Sequence, residues 1–404
     1  MTEPDGATLD VLIGGKVELV RRQLGLSRLE VARMTGHSKR WLGQLEVEGR
    51  GATRLENLIA LARAMRVADL SSLVGHQFTA TALETPQHPS VPEVRKALTI
   101  ELLDPAPGGP PCTAASLERR IIDAWDTWHT SRRQHTELGL LLPSLLRDAT
   151  TLARTASGTQ ASRANSIAAR VHLLGQRYAY GVRAMDLAAQ FTDRALLAAV
   201  ASGNSYLVAL AGWGAAMTSL TAQRPQEAED TALAALRHIA HPKNDDEKSL
   251  RGALLLFAAM GAAGERRTDD AWRYWTEADD IADEIRDHRE VQTMFSSTNV
   301  RIYEVAVNVE IGRSSAAVAA ATRLDPAQMK STNRLAQYYI DLAKGYLQEG
   351  DRAAASGAIL ESAEASEETI AFSPEGRHAV RRIIRETRTV EEGIALLAER
   401  LGLR

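Results

Sequence analysis

The 404-residue chain is 45% hydrophobic and carries a net charge of −3, enough apolar material for two or three domains with sizeable cores. Its single cysteine, Cys112, excludes an internal disulfide and fits a reducing compartment. Residues 1–10 are too polar and acidic for a secretory leader, and no run approaches the ~18 continuous apolar residues of a membrane span. The apolar segment 138–146 is short and holds Pro143. A soluble cytoplasmic protein is expected.

After a loose tail over residues 1–8, two short helices joined by a tight turn are predicted within 27–46. Ser27 is an N-cap, and Glu30 three residues later completes a capping box. Val31, Ala32 and Met34 give that helix its apolar face, and Gly36 supplies the left-handed corner that ends it. Ser38 caps the next helix, whose inward positions are Leu42 and Leu45 and whose outward positions are Lys39, Arg40, Trp41 and Gln44. Two cations and an amide on one exposed face near a helix N-terminus suit a DNA major groove. Thr53 opens a later helix through a second capping box with Glu56, with Leu58, Leu61, Ala62, Met65 and Val67 as its core face.

Charge sharpens this reading. From Lys16 to Arg66 there are eleven Lys or Arg and five Glu, so the segment is +6 inside an acidic chain, the electrostatic footprint of phosphate binding. Lys39 or Arg40 is expected to donate to guanine, Gln44 to reach a neighbouring base, and Arg28 to hold a phosphate. Ser38, Arg50 and Arg54 complete the expected DNA-binding set. Trp41 either touches a thymine methyl or sugar, or packs on the flank of its helix.

Residues 13–74 resemble a Cro/C1-type helix-turn-helix domain of the XRE family, the five-helix module of phage repressors and many bacterial regulators. Beyond the turn itself, Gly14, Val17, Val20, Arg21, Gly25, Leu26 and Ser27 stand in the order and spacing of that family's first helix and junction. The resemblance implies a buried ion pair between Arg21 and Glu46, joining helix one to the end of helix three. The loop 47–52 (VEGRGA) departs from the family by about one extra residue and a missing proline.

The DNA-binding domain is placed at 9–74, followed by a proline-rich linker at 75–114. Seven of the thirteen prolines fall there, and proline removes donors and disfavours helix, so the stretch reads as a tether. Residues 93–103 form a short strand or helix within it.

Residues 115–404 read as helical. A first pair spans 116–133 and 138–156, with Trp125 and Trp128 on one face. Turn-like segments then recur, and the alanines in the first turn of the helices after them are Ala188, Ala228, Ala271, Ala317 and Ala355, at intervals of 40, 43, 46 and 38 residues. Periods of this length mean stacked helical hairpins rather than one closed core. Tyr339, Leu342, Ala343, Tyr346, Gly350, Ala355 and Ile359 resemble a tetratricopeptide repeat. The other units are tetratricopeptide-like with longer first helices, and 377–401 reads as a capping helix pair. The expected fold is all-α: a five-helix helix-turn-helix domain, a linker and an α-solenoid.

The inner surface of such a solenoid comes from its first helices, expected at 204–222, 247–263, 292–311 and 331–348. Tyr206, Trp213, Asn299, Arg301, Tyr303, Asn308, Arg334 and Gln337 are the candidate ligand-binding residues there, with Asn204 and Gln292 beside them. Against this, residues such as Trp213 and Tyr303 more often pack between helices than line a ligand, and Asn299 and Asn308 also read as solvated.

No glycine-rich phosphate loop, dinucleotide fingerprint or nucleophile with its base occurs. His238 and His241 lack a third metal ligand, and the acidic run 277–284 is one face of an amphipathic helix. No enzyme, cofactor or metal is expected. The resemblance implies a bacterial transcriptional regulator that binds a double-stranded operator. Its repeat domain would form the homodimer and sense a peptide or small molecule. The alternative is a scaffold whose repeats dock partner proteins, with the helix-turn-helix serving recruitment.

Overall fold

Helix α1 (Gly6–Gln23) turns Ile13 and Val17 inward and lays Gly14 against α3 (Lys39–Glu48). A Cβ at Gly14 would stand 2.2 Å from the Leu45 carbonyl oxygen, so the close crossing of these two helices requires glycine. With α2 (Arg28–Met34) and α4 (Leu55–Ala64) they enclose Val31, Ala32, Leu42, Leu45, Leu58 and Leu61. Each wholly buried Val or Leu contributes about 1.5–3 kcal/mol.

In this computed structural model the chain forms two compact units, residues 1–84 and 85–404. It is described over residues 6–23, 26–49, 54–65, 73, 87–103, 112–222, 224–285, 292–387 and 389–403. No strand occurs among the described residues, and the all-α expectation holds. The expected fifth helix of the first unit, Arg50 and the Thr53 capping box lie outside them.

The second unit begins inside the expected tether. Helix α5 (Val91–Leu103) buries Val91, Val94, Ala97 and Leu98 in a core shared with α7 (Gln134–Thr155). The tether reading is therefore corrected over 87–103. Pro92 does not prevent a helix there, because it sits in the first turn, where N–H groups have no intrahelical acceptor.

Six hairpins follow: α6 (Ala114–Thr130) with α7, α8 (Thr159–Gly181) with α9 (Met185–Ser202), and α10 (Ser205–Thr221) with α11 (Pro225–Leu236). The next three are α12 (Asp245–Gly264) with α13 (Thr268–Glu284), α14 (Ser297–Glu310) with α15 (Ser314–Ala321), and α16 (Thr332–Glu349) with α17 (Arg352–Phe372). Helices α18 (Pro374–Glu386) and α19 (Glu392–Arg400) close the array. Ala188, Ala228, Ala271, Ala317 and Ala355 are each the fourth residue of a second helix, and all are wholly buried. A methyl group there lets the two helices approach closely.

Two residues before four of these helices the backbone turns left-handed, at Arg183 (φ 59°), Arg266 (φ 59°), Gly312 (φ 78°) and Gly350 (φ 80°). The same capping bond recurs at each. The N–H of Ala184 donates to the Ala179 carbonyl at 2.9 Å, Arg267 to Ala262 at 2.8 Å, Arg313 to Asn308 at 2.8 Å, and Asp351 to Tyr346 at 2.9 Å.

First helices pack in series from α6 through α8, α10, α12 and α14 to α16, and α16 packs back on α6. The hairpins stack in series, in keeping with the expected solenoid, and the sixth hairpin also meets the first. The seam is polar. The Thr332 hydroxyl donates to the Ser131 carbonyl at 2.9 Å, and His129 Nδ1 lies 3.0 Å from Ser331 Oγ. The N–H groups of His135 and Thr136 donate to Glu368 Oε2 at 2.8 and 3.2 Å. They open α7, so a helix N-terminus holds a carboxylate from the far end of the array. Helix α17 kinks to deliver it: Ser366 is non-helical (φ −159°, ψ 105°), and its hydroxyl accepts from the Thr369 N–H at 3.2 Å. Among the described residues no helix is long and apolar enough to cross a membrane.

Candidate nucleic-acid interface

The turn between α2 and α3 is built by local hydrogen bonds. Ser27 Oγ accepts from the Glu30 N–H at 3.3 Å, and Glu30 Oε2 accepts from the Ser27 N–H at 2.7 Å. That backbone bond, with the one to the serine hydroxyl, holds the exposed Glu30 carboxyl below its usual pKa. Gly36 takes φ 72°, and the His37 N–H closes the corner on the Ala32 carbonyl at 2.8 Å. Ser38 Oγ then accepts from the Trp41 N–H at 3.1 Å and starts α3.

Leu42 and Leu45 anchor α3 in the core, which turns Lys39 and Arg40 to the surface, with Gln44 half-buried beside them. Neither cation makes an ion pair among the described residues, so both keep their donors for an external acceptor. Ser38 is exposed, its oxygen already serving the cap, and Arg54 is exposed before α4. Trp41 packs on the flank: its ring stacks on His37 with centroids 3.7 Å apart, and it touches the core. His37 was missed as a neighbour of this helix. Its spacing of four from Trp41, immediately after the glycine corner, is the available signal.

Arg28 departs from the phosphate-binding expectation. Its Nε donates to Glu46 Oε2 at 2.6 Å and its Nη2 to Glu18 Oε1 at 3.2 Å. The implied pair is present alongside: Arg21 Nε and Nη2 donate to the two Glu46 oxygens at 2.6 and 3.0 Å, both residues buried. The hydrogen bond to Glu46 raises the pKa of the Arg21 guanidinium further, against the effect of burial.

In the second unit the structure separates the ligand candidates. Tyr303, Arg334 and Gln337 line a cavity of about 380 Å³ bounded by the helices α8, α10, α12, α14 and α16. Trp213 is buried, edge-on to Phe257 at 5.7 Å. Tyr206 is half-buried against the same core. Asn299 and Asn308 are buried rather than solvated, and Asn308 Nδ2 donates to the Glu304 carbonyl of its own helix at 2.9 Å. Arg301 pairs with Asp279 at 3.1 Å and lies over the Trp275 ring. Asn204 caps α10, and Gln292 is buried before α14. Arg177 lines the cavity and was not foreseen. It stands in a run of bulky residues, and no local pattern marks where its side chain goes. His238 and His241 are both exposed.

Residues 17–69 match a helix-turn-helix family model. The first unit therefore contains an XRE-type helix-turn-helix, the domain carried by DNA-binding transcription regulators. The match stops short of the second unit. Among curated proteins, no sequence matches the chain.

Proposed function

We propose that the chain is a sequence-specific transcription regulator that reads an operator through α3. Lys39 and Arg40 would donate to base edges in the major groove, Gln44 would add a neighbouring base, and Arg54 and Arg50 would hold flanking phosphates. The observation that carries this is a capped helix, anchored by Leu42 and Leu45, that presents two exposed cations with no ion-pair partner among the described residues. Two copies, joined through tetratricopeptide-like hairpins of the second unit, would read half-sites about one helical turn (~34 Å) apart.

The second unit would act as the sensor. The return of α16 to α6 and the cavity within the array favour ligand binding over an open platform for partner proteins. Selection from random duplexes, followed by salt-controlled titration, tests the reading. A recovered motif with twofold symmetry and a steep salt dependence is expected. Equal affinity for the selected and a scrambled duplex would overturn it.

A further inference from the structure

Arg177 is 8% exposed and lies on the cavity wall near the C-terminal end of α8. Three ring faces surround its guanidinium, with centroids 5.2 Å away at Trp213 and 5.7 Å away at Trp128 and Tyr180. Among the described residues its Nη1 meets only the Met217 thioether and its Nε has no hydrogen-bond partner. Aromatic faces and a sulfur accept a guanidinium without neutralising it. Arg334, on the opposing α16, adds a second positive charge over the Tyr303 ring at 5.4 Å. Burial first, and then Arg334, lower the Arg177 pKa to about 10, which leaves it charged at neutral pH.

The other charges of the cavity are accounted for. Arg183 faces Glu375 at 3.6 Å, Lys344 faces Asp341 at 4.0 Å, and Glu310 is exposed to water. No carboxylate pairs with Arg177 or Arg334 among the described residues. Leu220, Phe257, Met260 and Ile302 form an apolar wall beside them.

We infer that the cavity binds a small amphipathic organic anion, whose carboxylate or phosphate head lies between Arg177 and Arg334 and whose apolar body lies on the Phe257–Ile302 side. The volume suits a small molecule rather than an extended peptide. For its purpose the inference rests on the sensing role proposed above; for binding it rests on the geometry alone.

Calorimetric titration of the full chain with octanoate, octyl phosphate, octan-1-ol and inorganic phosphate tests it. At least one alkyl anion should bind about tenfold or more tighter than octan-1-ol, and the preferred head identifies the group recognised. Arg334→Gln, at a half-buried position, should erase that preference with an unchanged melting temperature, and Arg177→Met should do the same.

No alkyl-anion binding at millimolar concentration would overturn the proposal. So would octan-1-ol binding as tightly as both anions, inorganic phosphate binding as tightly as octyl phosphate, or an anion preference that survives Arg334→Gln. Operator affinity in the same mixtures separates the two readings. Anion binding with unchanged operator affinity leaves the site standing and removes its sensing role. Operator affinity that responds identically in wild type and both variants keeps sensing and overturns the site.

Discussion

Glu46 is shared by two arginines: Arg21 Nε lies 2.6 Å from one carboxylate oxygen and Arg28 Nε 2.6 Å from the other. Arg21 comes from α1 and Arg28 from the start of α2, so one carboxylate at the end of α3 ties three helices together. The Glu46 side chain is wholly buried, whereas that of Arg28 is one-third exposed.

Removing Glu46 should therefore cost more than removing either cation's outer contact. Glu46→Ala leaves the Arg21 charge buried and uncompensated, with an expected loss of about 3–5 kcal/mol. Arg28→Ala should cost only about 1 kcal/mol, since its remaining partner Glu18 is partly hydrated. Hydrogen exchange of the α2 and α3 amides in the full chain reads both. Equal protection in Glu46→Ala and wild type would mean the network contributes nothing.

The same network changes what Arg28 should do on DNA. If its guanidinium stays on Glu46 and Glu18, Arg28→Ala leaves the salt dependence of operator binding unchanged. Arg40→Ala should lose about 1–3 kcal/mol and relax discrimination at one base pair. Titrations over a range of salt, on the operator and on single-base variants, distinguish them. A shallower salt slope for Arg28→Ala would return that residue to a phosphate.

The seam of the hairpin array should open in acid. Burial, and to a lesser degree His88, lower the pKa of His135 from the ordinary 6.5 to about 4, against the pull of Glu368. Burial alone would raise Glu368. His88, whose Nε2 stands 3.9 Å away, Thr136 and His135 instead hold its pKa at about 2 rather than 4.5. In both cases the unfolded chain takes up a proton before the folded one, so stability falls as pH falls. The loss begins near pH 6.5 through His135, worth about 3 kcal/mol by pH 4, and continues below 4.5 through Glu368. Urea unfolding at stepped pH should show this, and His135→Gln should flatten the part above pH 4. Parallel profiles for the two proteins would contradict the burial of a neutral imidazole.

The left-handed turn residues offer a stability gain. Arg266 holds φ 59° in an exposed turn where the equivalent positions of two later hairpins are Gly312 and Gly350. A non-glycine residue in this conformation costs roughly 1–2 kcal/mol, partly offset by the greater freedom of unfolded glycine. Arg266→Gly should raise stability by up to about 1 kcal/mol in urea unfolding, and a decrease would show that the arginine side chain compensates its strain.

Much of this protein is readable from sequence because it is decided locally. Ser27 with Glu30, Gly36, and Ser38 with Trp41 satisfy one another within three or four residues, so capping chemistry alone placed the helix-turn-helix. The five alanines at 38–46-residue intervals mark the hairpins for the same reason: each reports a crowded contact inside its own repeat. What lies beyond a repeat is not written in any local pattern. Glu368 reaches the amides of His135 and Thr136 across more than 230 residues, and nothing near either end announces the other. Val91–Leu103 was masked by the prolines around it, because the core that stabilises the helix is supplied by α7. Arg28 looked like a free cation until the fold brought Glu46 within 2.6 Å. Arg177 and Arg334 lie 157 positions apart, and they share one cavity only because the series of first helices turns back on itself. Sequence specifies the groups and their near neighbours, whereas which distant charges are paired, and which are left facing a cavity, depends on the curvature accumulated over six hairpins.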